Sequence, residues 1–200
     1  MLSNRMTRIA LLLPAILYPA LAHAHVGVGE TSGFAHGFAH PLSGLDHMLA
    51  MILVGVLAFQ IGGRALWLVP LAFVGMMAIG GALGGFGVNV PFVEVGIAMS
   101  VIALGAAVAL EIRTPAAIAA GLVGLFAIFH GHAHGAEMPE NVTTLTYAAG
   151  FTLATALLHV TGIGLGFGIG TISRRIGPSV VRFVGGIAAL VGLGILSSAL

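Results

Sequence analysis

Gly44–Gly62 reads GLDHMLAMILVGVLAFQIG, nineteen residues in which Asp46 and His47 are followed by no further charge. As a helix this stretch extends about 28 Å, close to the roughly 30 Å hydrocarbon core of a bilayer. Five more apolar runs follow it: Ala65–Leu83, Phe92–Leu110, Ala116–Phe129, Leu145–Gly170 and Val180–Leu200. In lipid each span must satisfy its own backbone hydrogen bonds, so runs of this kind predict helices. A transmembrane barrel would instead alternate polar and apolar residues in ten-residue segments, and no such pattern is present. Composition agrees: of 200 residues 58% are hydrophobic and 6% charged, with a mean hydropathy of +1.12. A soluble domain carries about 25% charged residues. The expected fold class is an all-α polytopic membrane protein, a bundle of about six transmembrane helices.

The arginines orient these spans. Arg64, Arg113, and the group Arg174, Arg175 and Arg182 fall in or beside alternate connections, so all five lie on one side. The positive-inside rule makes that side cytoplasmic and turns both ends of the six-span domain outward. The first residues agree: Arg5 and Arg8 precede thirteen apolar residues, Ile9–Leu21, and the small-x-small triplet Ala22-His23-Ala24. This is the layout of a cleaved secretory signal peptide. The expected organisation is a leader over 1–24 and a single six-helix domain over 25–200.

Several functions are excluded by residue type. Every basic residue is Arg, so neither a P-loop lysine nor a Schiff-base lysine exists. With no Cys, disulfides and thiolate sites are impossible. A net charge of +1 provides no basic patch, so no nucleic acid or nucleotide partner is expected. The 31 glycines, among them Gly162, Gly166 and Gly170 on one helical face, fit close helix contact in lipid.

Nine histidines among so few polar residues remain to be explained. Placed by depth, His36, His40, Asp46 and His47 fall at the outer start of the first span. His130, His132, His134, Glu137 and Glu140 fall at the outer end of the fourth. Glu94 falls near the outer start of the third. His159, twelve residues beyond Tyr147, is about 18 Å deeper. Pro41 suits the first turn of a helix, which would set His40 and His47 on one face two turns apart. If the helix persists beyond Phe129, His130, His134 and Glu137 share a face; Gly131 and Gly135 are candidate breaks. Asp46, the only Asp, is expensive in a span unless paired with an imidazole or a cation. Imidazole and carboxylate together, without thiolate, suit nickel, cobalt or zinc.

His40-Pro41-Leu42-Ser43-Gly44-Leu45-Asp46-His47 and Phe129-His130-Gly131-His132-Ala133-His134-Gly135-Ala136-Glu137 resemble the two motifs of the HupE/UreJ family of nickel and cobalt permeases. The resemblance implies a bacterial inner-membrane permease, not an enzyme, importing Ni²⁺ or Co²⁺ for metalloenzymes such as hydrogenase or urease. It implies metal contacts at His40, Asp46 and His47, and at His130, His134 and Glu137. The residue reading adds His36, His132, His159 and Glu94. No permanently bound cofactor is expected, since the metal is cargo; the partners are the ion and the bilayer, and a homo-oligomer stays open. The rival readings are an intramembrane metal-dependent hydrolase, a haem-binding bundle and a non-transporting metal sensor.

Overall fold

The computed structural model describes residues 30–139, 142–172 and 177–200. The expected leader over 1–24, Glu140, Arg174 and Arg175 lie outside the described residues. Within them every regular element is a helix: α1 (Glu30–Ser43), α2 (Leu45–Ile61), α3 (Ala65–Gly85), α4 (Val93–Ala109), α5 (Ala116–Ala136), α6 (Thr144–Ile172) and α7 (Gly177–Ala199). Four of these, α3, α5, α6 and α7, are each long and apolar enough to cross a membrane. The pair α1–α2 passes the same test only as a span bent by 83°, and α4, at 17 residues, is shorter.

α2 is the central helix and touches each of the other six. Its Met51, Val54 and Ala58 are buried, and with Val69 and Phe73 of α3, Val101 and Leu104 of α4 and Val123 of α5 they form the core. The outward faces are also apolar: Leu71, Leu122, Leu157, Phe183 and Leu190 are exposed. An apolar exterior of this extent fits a multi-pass membrane protein.

Two sequence expectations are corrected. Pro41 does not open a helix; it lies in the last turn of α1, and the chain turns sharply at extended Gly44 before α2 begins. The cause is tertiary. α1 packs along α6, where a Cβ at Gly37 would stand 2.0 Å from Tyr147 O and one at Gly150 2.1 Å from Phe34 O. The fourth run does not end at Phe129. α5 continues to Ala136, carrying its histidines inside the helix. Gly131 and Gly135 do not break it, because they serve its contact with α3: Cβ atoms there would lie 2.0 Å from Met77 O and 2.1 Å from Gly81 O. The Gly162 and Gly166 face of α6 behaves as expected, meeting Gly55 and Phe59 of α2.

The arginines that are described share one end. Gln60, at the end of α2, donates to Val108 O, and Arg182 donates to Ala109 O, so the ends of α2 and α4 and the start of α7 lie together. α3 and α4, at opposite ends of the bundle, both finish in a left-handed residue. α3 uses Gly87 (φ 71°), α4 uses Glu111 (φ 51°). A non-glycine residue in that conformation costs about 1–2 kcal/mol.

Candidate metal centre

Three segments bring the site together at the end opposite the arginines: the α1–α2 elbow, the last two turns of α5 and the start of α6. In the elbow, Asp46 Oδ1 accepts from both the backbone N–H and the Nδ1 of His47, each at 2.8 Å. A carboxylate only accepts, so the His47 proton resides on Nδ1 and Nε2 carries the lone pair. That Nε2 is buried and has no partner. A carboxylate that orients an imidazole in this way is the usual support behind a metal-binding histidine.

His130 on α5 is oriented by a second device. The Ser100 hydroxyl donates to Ile97 O at 2.6 Å, so its oxygen accepts from His130 Nε2, 2.8 Å away. This leaves the His130 lone pair on Nδ1, again buried and unpartnered. Ser100, silent in the sequence reading, could have been noticed as a lone hydroxyl inside an apolar run.

His134, one helical turn on, lies between the two motifs. Its ring centroid is 4.2 Å from His47 and 4.6 Å from His40, and both of its nitrogens are buried without a partner. The His47 and His130 rings are 4.7 Å apart, edge to face. On the outer side, His40 Nε2 donates to Glu137 Oε2 at 3.1 Å. His40, His134 and Glu137 each present a ligand atom within 4.8 Å of the others, the geometry of a site for one cation. His40 is partly exposed and Glu137 more so, whereas His47, His130 and His134 are buried. Phe151 packs on His134, with ring centroids 4.3 Å apart, and Tyr147 stacks on Phe151. The Tyr147 hydroxyl is also buried and unpartnered.

An unsatisfied buried polar group costs roughly 1–3 kcal/mol. Four imidazole nitrogens of this kind, on His47, His130 and His134, converge in one place. Each neutral imidazole carries one lone pair, so His47, His130 and His134 bring three lone pairs without donors, an arrangement that a cation satisfies.

The remaining candidates are spread out. His159 is buried deeper on α6 with neither nitrogen partnered; its ring meets the edge of Phe73, 5.1 Å away, and Phe73 also lies 5.7 Å from His130. His132 turns away and bonds Val88 O at 2.8 Å. His36 on α1 and Glu94 in the first turn of α4 are exposed and do not join the three-residue group.

The comparisons with known proteins agree with the two motifs. A family profile described as HupE / UreJ protein matches residues 11–195. Protein HupE of Rhizobium leguminosarum bv. viciae is 47% identical over 193 residues, covering 95% of this chain and 97% of that protein. No solved structure matches. With a match across nearly its whole length, and with both histidine motifs folded into one centre, the chain belongs to the HupE/UreJ family.

Proposed function

We propose that this protein is a permease that imports a divalent transition-metal ion, Ni²⁺ or Co²⁺, across a bacterial inner membrane. The observation that carries the proposal is His134, with two unpartnered buried nitrogens between His40 on its outer side and His47 on its inner side. The motif resemblance supplies the choice of metal, and the imidazole and carboxylate donors suit it. Counting the α1–α2 elbow as one span and α4 as another gives six spans. The arginine-bearing end then faces the cytoplasm and the histidines face outward.

The residues act in sequence. Glu137 and His40 meet the hydrated ion and, with His134, form an outer station. His47, His130 and His134 form an inner one, and because His134 belongs to both, the ion moves inward by exchanging ligands about a fixed imidazole. Asp46 holds the His47 lone pair toward the ion and offsets its charge; Ser100 does the positioning for His130. His159 is a deeper station beyond Phe73. Each set offers few ligands, which keeps binding weak enough to release. The membrane potential pulls a divalent ion inward by about 4.6 kcal/mol per 100 mV.

The test is radioactive Ni²⁺ uptake into sealed proteoliposomes, with Co²⁺ and Zn²⁺ alongside, comparing wild type with His134→Ala. Uptake that His134→Ala abolishes is expected. Binding without uptake of any of the three ions would sink the permease and favour a sensor; a metal-dependent hydrolytic activity would favour the enzyme.

A further inference from the structure

The glycines sort the helices into units. Where a Cβ added to a glycine would run into a neighbour's backbone, the two helices are interlocked and cannot slide past each other without a clash. Gly37 and Gly150 lock α1 to α6, against Tyr147 O and Phe34 O; Gly55 and Gly162 lock α2 to the same helix, against His159 O and Ile52 O. Gly80, Gly84, Gly131 and Gly135 lock α3 to α5, and Gly105 and Gly185 lock α4 to α7. These pairs are also the most extensive helix contacts in the bundle. The units are therefore α1–α2–α6, α3–α5 and α4–α7. The one described glycine contact with the backbone of another unit is Gly177 against Ile169 O, beside the α6–α7 connection.

The seams between units are built differently. α1–α2–α6 meets α3–α5 through apolar core side chains. Among the described residues two side-chain hydrogen bonds cross that seam, His40 to Glu137 and a long one, 3.7 Å, from the Thr155 hydroxyl to Met77 Sδ. Side chains that change rotamer let packed helices shift, where interlocked backbones do not. Both cavities of the structure lie on seams, at opposite ends. One, of about 310 Å³, is at the outer end between Ala82 and Gly135 of α3–α5 and Thr144 and Ala148 of α6. The other, of about 360 Å³, is at the arginine-bearing end between Phe59 and Gly166 of α1–α2–α6 and Val181 of α7.

The metal centre straddles the first seam. His40 and His47 belong to α1–α2–α6, whereas His134 and Glu137 stand on or just past α5. A tilt of one unit against the other therefore carries His40 and His47 together past His134 and changes which of them faces it.

We propose that α1–α2–α6 tilts as one rigid body against the other two units, using the two cavities as the room into which it moves, and that this tilt passes the ion from the His40 side of His134 to the His47 side. The inference rests on the permease reading and adds to it how the ion crosses: by rocking about a site between units, rather than through a fixed pore.

The chain has no Cys, so introduced cysteines are unique and can be joined by a reducible bis-methanethiosulfonate reagent. Ala82→Cys with Ala148→Cys spans the seam across the outer cavity. Ala82→Cys with Met138→Cys lines the same cavity but lies within the α3–α5 unit and the turn that ends it. Cross-linking the first pair should abolish Ni²⁺ uptake into proteoliposomes, and reduction followed by washing should restore it, while equilibrium dialysis shows Ni²⁺ still bound. Cross-linking the second pair should leave uptake at its rate before the reagent. Uptake that survives the cross-link over the seam, or that both pairs lose alike, overturns the proposal. An uncross-linked wild type that moves no Ni²⁺ overturns the permease reading itself.

Discussion

His134 on α5 faces His47 on α2 with their ring centroids 4.2 Å apart, and neither His134 nitrogen has a hydrogen-bond partner. The same ring is 4.6 Å from His40, so a single side chain belongs to both halves of the centre. Removing it should therefore cost more than removing any histidine outside the cluster. His134→Ala should abolish Ni²⁺ uptake, while His36→Ala and His132→Ala should stay within about twofold of wild type, the range of surface changes. Initial uptake rates in proteoliposomes of matched protein content decide this. A His36→Ala variant as defective as His134→Ala would move the centre outward along α1.

The two positioning devices make a graded expectation. Asp46→Asn keeps the size of the side chain but no longer dictates which His47 nitrogen is protonated. Loss of such a support weakens metal affinity by about 10–100-fold. Ser100→Ala removes the partner of His130 Nε2 and should weaken binding too, though less, since no charge is lost. Equilibrium dialysis with Ni²⁺ measures both; unchanged affinity in Asp46→Asn would leave the carboxylate with a purely structural part.

His159 allows stability and transport to be separated. Its nitrogens are unpartnered, so an apolar replacement of similar size relieves a desolvation penalty. His159→Leu should unfold in detergent at the same temperature as wild type or higher, and bind Ni²⁺ equally well, while transporting it several-fold more slowly. Normal transport would reduce His159 to a packing residue.

Close helix contact leads to a stability prediction. Gly131→Leu would drive a side chain into Met77 O of α3 and should destabilise by about 1–3 kcal/mol or more, as overpacking does. Gly121, on the same helix, has open space beside its Cβ position, so Gly121→Ala should be neutral or stabilise by roughly 0.5–1 kcal/mol. Thermal unfolding of the two purified variants compares them directly.

The helices were legible because lipid makes length and apolarity nearly sufficient, and five of the six runs coincide with helices to within a few residues. The fourth apolar run ends at Phe129 where the histidines begin, and the local pattern leaves its continuation as a helix open, because Gly131 and Gly135 look like breaks. Their reason is the backbone of α3, which no local pattern shows. The bend at Gly44 has no local signal for a similar cause: Pro41 is compatible with either end of a helix, and what decides is the packing of α1 on α6, more than a hundred residues away. The identities of His40, His47, His130, His134 and Glu137 could be read from their motifs. Their pairing could not, because spacing fixes neighbours on one helix and the centre is made between helices. Glu111 gave no local signal of its left-handed backbone, which stands out only beside Gly87, the residue that does the same backbone task in α3.

His40 and Glu137 meet across 97 residues of chain. A nascent protein emerging helix by helix into the membrane therefore has no centre until α5 has been made and laid against the elbow. A chain stalled or truncated before that point holds half of the ligands and none of the geometry. On the permease reading, unfinished copies can neither sequester scarce metal nor admit a toxic excess of it, so control of uptake begins with completion of synthesis.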